Sequence, residues 1–301
     1  MSFIEKFKTF SKNISSDIKY DEPMSNYTSF KTGGNADIIV SPSSLKELDL
    51  IVHFCKDNGI NPFILGNGTN LLVRDDGIRG IVIHIGKNFD DIRLVDETTI
   101  ECLSGTSLIK LCRFALENNL SGLEFAFGIP GTVGGGAYMN AGAYGGEMKD
   151  VLYKCEHIDF DGNSGSYEYD ELKLSYRTSA YKDSNKIITK AYFRLKKGNY
   201  DEIKSLMDDF MSRRKSKQPL EYPSAGSTFK RPEGYFAGKL IQDCGLKGIN
   251  VGDAQVSEKH SGFIINKGNA TSADILKLIA IVQDYVLEKT GVFLETEVKI
   301  V

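Results

Sequence analysis

Two glycine-rich segments carry the residue types that could hold a phosphate-containing ligand. The first is LGNGTNLLV at 65–73, a tight turn between two apolar runs, and the second occupies residues 128–146. Glycine lets the backbone approach a ligand closely and adopt positive φ, so successive N–H groups can converge on an anion. Thr69, Thr132 and Asn140 could add hydrogen bonds. Alone, the first segment also fits a plain turn, whereas the glycine density of the second favours a nucleotide-phosphate cradle.

Spacing argues against several familiar sites. The chain contains neither G-x-G-x-x-G nor G-x-x-x-x-G-K-[ST], so a Rossmann dinucleotide site and a P-loop are both unsupported. No H-E-x-x-H or C-x-x-C spacing occurs, and we predict no metal. The five cysteines are scattered and odd in number, which indicates reduced thiols rather than a disulfide framework.

Composition restricts the partners. With 37 basic and 40 acidic side chains among 301 residues, the formal charge is −3, so an extended nucleic-acid surface is not expected. The N-terminus lacks a secretory signal, and the most apolar segment, at 275–282, is too short to cross a bilayer. We therefore expect a cytoplasmic protein that acts on a small molecule, with no membrane and no obligatory protein partner.

The pattern of apolar residues predicts the elements that must position these segments. Helical spacing predicts helices at 3–18, 44–58, 108–118, 201–217 and 272–290. Short apolar or β-branched runs predict strands at 36–40, 62–65, 81–85, 99–103, 151–160, 187–195, 254–256, 263–265 and 295–301. This order predicts an α+β fold with an N-terminal helix in 1–20, a small α/β lobe in 21–79, an α+β lobe in 80–200 and a C-terminal α+β domain in 201–301.

Further motifs reveal a family resemblance that extends over nearly the whole chain. Besides the two glycine-rich segments, they are YTSFKTGG at 27–34, SYRTS at 175–179, GSTFK at 226–230, AGKLI at 237–241 and LETEV at 294–298. In this order they resemble the two-lobed FAD-binding domain of the vanillyl-alcohol oxidase (PCMH) type. More narrowly, the chain resembles the UDP-N-acetylenolpyruvoylglucosamine reductase family, with a C-terminal substrate-binding domain. The short stretch between residues 177 and 227 resembles the branch that lacks the loop whose tyrosine folds over the substrate.

The resemblance implies a role for each matching residue. It implies catalytic roles for Arg177, Ser227 and Glu297, and substrate contacts from Tyr176, Lys230, His260 and Asn266. At Arg231 the chain departs from the family pattern, since many members have asparagine there. The implied cofactor-binding residues are Tyr27, Gly66, Asn67, Gly68, Thr69, Asn70, Gly128, Ile129, Pro130, Gly131, Thr132, Gly134, Gly135, Asn140 and Gly142.

The implied reaction uses FAD, with NADPH as hydride donor, to reduce an enolpyruvyl ether carried on a UDP sugar, in peptidoglycan precursor synthesis. Hydride addition leaves negative charge beside a carboxylate, so the reaction needs a fixed cation and an acid. Arg177 suits the first need and the Ser227 hydroxyl the second, while Glu297 could orient groups or donate a hydrogen bond. Neither glycine segment contains histidine, so we expect non-covalent FAD. Candidates for the UDP phosphates are Lys230, Arg231, Lys239 and Lys247.

Each of these residues also has an ordinary structural interpretation. An isolated arginine is usually a surface group, Ser227 follows a glycine and fits a turn, and Glu297 lies in an alternating, strand-like run. Two other functions stay open on the residues. One is an FAD oxidase of the same fold, which would need a base rather than an acid, and the other is a nucleotide-binding module without redox chemistry.

Overall fold

The protein is described by a computed structural model covering residues 2–301, which contain seven α-helices and eighteen β-strands. The helices are α1 (Phe3–Phe10), α2 (Leu45–Asp57), α3 (Leu108–Glu117), α4 (Val133–Tyr138), α5 (Tyr200–Lys217), α6 (Ala237–Asp243) and α7 (Ser272–Thr290). The strands are β1 (Asp17–Pro23), β2 (Asn35–Ser41), β3 (Phe63–Leu65), β4 (Leu71–Leu72), β5 (Ile78–His84), β6 (Ile92–Leu94), β7 (Thr99–Leu103), β8 (Leu120–Ser121), β9 (Gly142–Ala143), β10 (Gly146–Glu147), β11 (Leu152–Asp159), β12 (Ser164–Glu168), β13 (Lys186–Arg194), β14 (Lys196–Lys197), β15 (Asn250–Val251), β16 (Ala254–Val256), β17 (Ile264–Asn266) and β18 (Lys299–Ile300). The mixture agrees with the predicted α+β class.

Most predicted elements are present, but two were predicted too long. The N-terminal helix ends at Phe10, a 3₁₀ turn follows, and residues 17 and 18 already belong to β1. The predicted strand at 295–301 is regular only over β18, preceded by an isolated bridge between Phe229 and Thr296. The structure adds α4 and α6, neither of which was predicted.

The chain divides into two compact units, and each is assembled from separated segments. The first unit comprises residues 1–20, 37–67 and 80–213, and the second comprises 21–36, 68–79 and 214–301. The four-part division predicted from the sequence stays a prediction.

The first unit has a five-stranded antiparallel sheet in the order β12-β11-β13-β7-β6. Side chains of this sheet, α3 and the glycine-rich segment share one core that contains Ile100, Leu111, Val133, Met148 and Phe193. A second core in this unit packs α1 and α2 against β2 and β5. In the four-stranded sheet β1-β2-β5-β3, the pair β3–β5 is parallel, with Leu65 opposite His84.

The second unit packs α6 and α7 around the three-stranded antiparallel sheet β15-β16-β17. Helix α7, which the helical spacing predicted, buries one apolar face, since Ile275, Leu278, Ile279 and Val282 are all buried. The N-terminus of α7 is doubly capped. The Thr271 hydroxyl accepts from the Asp274 N–H, and the Asp75 carboxylate accepts from the N–H groups of Ser272 and Ala273 at 2.9 and 3.0 Å.

All five cysteines are free, as predicted, and four of them are buried. Within residues 2–301 no group of three or more histidine, cysteine, aspartate or glutamate side chains is arranged to hold a metal ion. None of the helices in this range is both long enough and apolar enough to cross a membrane.

Glu47, in the first turn of α2, is the most heavily bonded carboxylate near the N-terminal segment. It accepts from the N–H and hydroxyl of Ser15, the hydroxyl of Ser16, and the N–H and hydroxyl of Ser43, at 2.6–3.0 Å. Burial raises the pKa of Glu47, but the hydrogen bonds from Ser43 and Ser15 outweigh it and bring the pKa to about 2. The carboxylate therefore ties the segment before β1 to the start of α2.

We expect Glu47→Gln to lower the free energy of unfolding by about 2 kcal/mol at pH 7, because an amide cannot accept all five hydrogen bonds. Since the folded pKa lies below the unfolded value of about 4.3, the stabilisation is complete above that value. It is lost as the pH falls towards 2. Denaturant unfolding of wild type and variant between pH 7 and pH 3 should show the deficit shrinking. The exposed Glu117→Gln is the control, and a deficit independent of pH would contradict the assignment.

Candidate active site

The two glycine-rich segments meet in the first unit. A Cβ atom added to Gly66 would lie 2.8 Å from the Thr132 Oγ1, closer than real Cβ contacts allow. Gly66 directly follows β3, and Thr132 is the buried N-cap residue of α4, where its hydroxyl accepts from the Gly135 N–H at 3.2 Å. The two glycine-rich segments are therefore in contact at one point.

The first glycine turn leaves a run of backbone donors available. Within residues 2–301 the N–H groups of Gly66, Asn67, Gly68 and Thr69 donate no hydrogen bond. Gly68 adopts φ +58, and a Cβ there would lie 2.0 Å from the Tyr27 carbonyl oxygen, so only glycine fits this position. Successive N–H groups that the protein does not use are the arrangement that binds phosphate oxygens.

The second glycine segment is less open than the sequence suggested. Residues 133–138 form α4, and the N–H groups of Gly134 and Gly136 are bonded to the carbonyls of Ser104 and Thr132. A Cβ at Gly134 would lie 2.9 Å from the Ser104 Cβ, and one at Gly136 would lie 3.0 Å from the Met148 Cε. Several glycines of this segment thus permit close packing inside the unit, while Gly135 stays exposed.

Arg177 lies on a tight turn in the first unit. The N–H and carbonyl of Ser175 bond to the carbonyl and N–H of Thr178 at 3.2 and 3.1 Å, with Tyr176 and Arg177 between them. Arg177 has φ +55, a conformation unusual for a residue with a side chain. Its guanidinium carbon lies 5.2 Å from the centre of the exposed Tyr176 ring. Asn140 donates its amide to the Ser175 carbonyl at 3.0 Å, so the glycine-rich segment and this turn are joined.

Ser227 and Glu297 lie in the second unit on adjacent segments. The Glu297 N–H donates to the Thr228 carbonyl at 2.8 Å, and Phe229 pairs antiparallel with Thr296. Both Ser227 and Glu297 are half-buried. The Asn70 amide, at the end of the first glycine turn, donates to the Glu297 carbonyl at 3.0 Å. The structure therefore brings Asn70, Glu297 and the Ser227 segment together.

The predicted substrate contacts have different surroundings. Lys230 forms an ion pair with Glu295, and Tyr176 is exposed. Asn266 is buried, donates to the Phe30 carbonyl at 3.0 Å and accepts from the N–H groups of Gly268 and Ala270. Burial lowers the pKa of His260 below its ordinary value, and Lys247 acts in the same direction. The His260 Nδ1 accepts from the Gly262 N–H at 3.2 Å, which leaves the proton of the neutral ring on Nε2.

The first glycine turn, at residues 66–69, fits the predicted dinucleotide cofactor. The unused N–H groups at 66–69 suit a diphosphate, and the close approach of Gly66 to Thr132 leaves no room for larger side chains in the turn. The predicted residues fall in both units: Gly66, Thr132 and Arg177 belong to the first, and Tyr27, Gly68–Asn70, Ser227 and Glu297 to the second.

The sequence analysis assigned no role to Ser175 or Glu147. Asn140 hydrogen-bonds to both and so links Glu147 to the turn at 175–178 that carries Arg177. The Asn140 amide nitrogen donates to the Glu147 Oε2 at 2.7 Å as well as to Ser175. No spacing rule connects these three positions, because the contact depends on tertiary packing. The one sequence feature that pointed to any of them is that Ser175 begins the SYRTS motif, which also contains Arg177.

Comparison with family models gives two matches. Residues 218–301 match the C-terminal domain of UDP-N-acetylenolpyruvoylglucosamine reductase, and residues 36–164 match an FAD binding domain. The predicted fold class, an FAD-binding domain joined to a C-terminal domain, is confirmed.

Curated relatives and a solved structure match over almost the full length. UDP-N-acetylenolpyruvoylglucosamine reductases are 50% identical in Syntrophomonas wolfei, over 94% of this chain and 95% of the relative, and 53% identical in Clostridium novyi, over 95% and 92%. A Clostridium botulinum reductase is 51% identical over 100% of this chain and 97% of its own length. The crystal structure of UDP-N-acetylenolpyruvylglucosamine reductase from Thermus caldophilus is 35% identical, with a TM-score of 0.80 over 95% of this chain and 99% of that one.

We expect Gly66→Ala to weaken FAD binding at least tenfold, about 1.4 kcal/mol, because the added methyl forces the turn and Thr132 apart. Fluorescence titration of the apoprotein with FAD measures this. Gly268→Ala is the matched control, since its Cβ would meet its nearest neighbour, the Asp253 carboxylate, at an ordinary 3.5 Å. Equal FAD affinity in the two folded variants would show that the turn does not hold the cofactor.

Proposed function

The chain belongs to the UDP-N-acetylenolpyruvoylglucosamine reductase family, and from this membership we infer that it is the FAD-dependent enzyme that reduces UDP-N-acetylglucosamine enolpyruvate to UDP-N-acetylmuramate for peptidoglycan synthesis. NADPH is the hydride donor. The observation that carries the conclusion is identity of about half the residues across nearly the whole of each relative. We propose that the reaction takes place in the cytoplasm.

Bound FAD supplies the hydride transfer between NADPH and the enolpyruvyl group. The protein must then hold the substrate carboxylate, deliver a proton to the carbon beside it and keep both groups in position. Hydride and proton together saturate the carbon–carbon double bond of the enolpyruvyl ether, so no other reactant is needed.

We propose that Arg177 binds the substrate carboxylate. A guanidinium is permanently charged and matches a carboxylate with two parallel hydrogen bonds. Two features support this role: Arg177 is held at φ +55 on a turn closed by two backbone hydrogen bonds, and that turn is tied to the glycine-rich segment through Asn140. Strained backbone of this kind persists only where the surroundings enforce it.

We propose that Ser227 donates the proton and that Glu297 orients the groups around it. A hydroxyl is a weak acid, but the charge that develops beside the carboxylate makes the receiving carbon strongly basic. Support comes from their placement, since the Glu297 N–H bonds to Thr228, next to Ser227, and the Glu297 carbonyl bonds to Asn70 of the glycine turn.

We further propose that Lys230 and the neutral His260 contact the UDP part of the substrate. The His260 Nε2–H is a donor that suits a phosphate or sugar oxygen, and Lys230 offers positive charge next to the GSTFK motif. The Glu295 carboxylate that pairs with Lys230 is exposed, so a phosphate could replace it as the partner.

Flavin absorbance tests the function. We expect the purified protein to be yellow, to lose its visible flavin absorbance on anaerobic addition of NADPH, and to regain it on addition of the enolpyruvyl nucleotide. An FAD oxidase would instead be reduced by an alcohol or sugar and reoxidised by oxygen. A colourless protein that does not take up FAD would contradict the proposal and favour a nucleotide-binding module.

The two half-reactions test the role of Ser227. We expect Ser227→Ala to be reduced by NADPH at the wild-type rate, yet to be reoxidised by substrate about 10³-fold or more slowly, because only proton delivery is lost. Rapid-mixing absorbance measures both steps. The exposed Ser166→Ala serves as control. Equal slowing of both half-reactions in Ser227→Ala would mean that the serine supports the flavin pocket instead.

A further inference from the structure

Asn140, predicted as a cofactor-binding residue, has a fully buried side chain that makes three hydrogen bonds to protein groups. The amide nitrogen donates to the Glu147 Oε2 at 2.7 Å and to the Ser175 carbonyl at 3.0 Å. The amide oxygen accepts from the Lys149 N–H at 2.9 Å. Both donors of the carboxamide are thus used, and an acceptor is used as well.

The groups around Asn140 are themselves fixed. Glu147 accepts from the Asp150 N–H, while the Asp150 carboxylate accepts from the Glu147 N–H at 2.8 Å. Lys149 pairs with Glu147. Asn140 has φ +44, a conformation that asparagine tolerates better than most residues. Asn140 and its partner Glu147 are therefore held in place independently of the hydrogen bond to Ser175.

The other end is the turn that carries Arg177. The Ser175 carbonyl accepts from two donors, the Thr178 N–H at 3.1 Å and the Asn140 amide. Farther along, the Ser179 hydroxyl donates to the Tyr138 carbonyl at 2.8 Å. The turn is exposed at Ser175 and Tyr176 and strained at Arg177, so it needs such anchors to keep a single conformation.

We propose that Asn140 is a positioning residue that fixes the Arg177 turn and touches neither cofactor nor substrate with its side chain. The inference rests on the proposed function, since Asn140 would then affect the reoxidation half-reaction, in which Arg177 binds the substrate carboxylate. Only a carboxamide in this orientation donates to Glu147 and Ser175 while accepting from Lys149. Displacement of a positioned group by about 1 Å costs on the order of a hundredfold in rate.

The test separates cofactor binding from positioning. In Asn140→Gly, which keeps positive φ accessible, we expect FAD affinity and the rate of flavin reduction by NADPH within about twofold of wild type. Reoxidation by the enolpyruvyl nucleotide should slow by roughly 10- to 100-fold. Asn140→Asp keeps the volume and the acceptor but loses both donors, and should give the same split. Asn118→Ala is the control, because it removes another amide that donates to a carbonyl in the same unit, at Phe114.

A double-mutant cycle tests whether Asn140 acts through Arg177. If it does, Asn140→Gly should slow reoxidation by less than about threefold in an Arg177→Lys background. Hydrogen exchange at the amides of Ser175 and Thr178 should be faster in Asn140→Gly than in Asn118→Ala. Loss of FAD affinity, the same loss of rate in both backgrounds, or unchanged exchange would each overturn the inference. If wild type itself does not turn over the enolpyruvyl nucleotide, the proposed function fails instead.

Discussion

The last residues of the chain pair with the residues that follow the first glycine turn, and the second unit depends on this pairing. Strand β18 lies parallel to β4, with Lys299 opposite Leu71, and the Arg74 N–H bonds to the terminal Val301 carbonyl. The Asn70 amide extends the contact to Glu297. More than two hundred residues separate the partners in sequence, so the entropy of closing this loop must be overcome by the core that Leu72, Leu294 and Val298 share. The pairing also holds Glu297 and the segment next to Ser227, for which we propose roles in proton delivery, in place.

Glycine has two different uses in the first unit, and they explain why its density is so high there. Gly66 and Thr132 approach so closely that a methyl group would not fit, which brings the two segments into contact. Gly134 and Gly136 instead let α4 pack against Ser104 and Met148. Glycine costs a helix about 1 kcal/mol per residue relative to alanine, so α4 forms because tertiary packing and the Thr132 cap stabilise it. The segment is therefore a packed element as well as part of the proposed cofactor site.

The sequence predicted most of the regular structure where local signals agreed. The strand Thr99–Leu103 and the helix Ser272–Thr290 have the predicted bounds, since apolar periodicity, caps and flanking turns all pointed to the same residues. The N-terminal helix was predicted too long because Ile14 and Ile18 continue its helical spacing. Ile18 and Tyr20, however, also fit the alternation of a strand. The sequence alone could not distinguish the helical from the strand periodicity there. The pairing of β1 with β2 in the sheet makes these residues a strand. Helix α4 could not be predicted from glycine propensity at all.

The site was predictable as a set of motifs but not as a set of contacts. Asn140 and Asn266 stand in motifs next to a cofactor or substrate segment, and the sequence suggested that both face a ligand. In the structure each amide bonds to backbone carbonyls and N–H groups of its own unit, and both side chains are buried. A buried carboxamide without partners would cost several kcal/mol, so such residues must be satisfied, whether by protein or by ligand. The partners come from segments distant in sequence, such as Ser175 and Phe30, and therefore no local pattern could have predicted these hydrogen bonds.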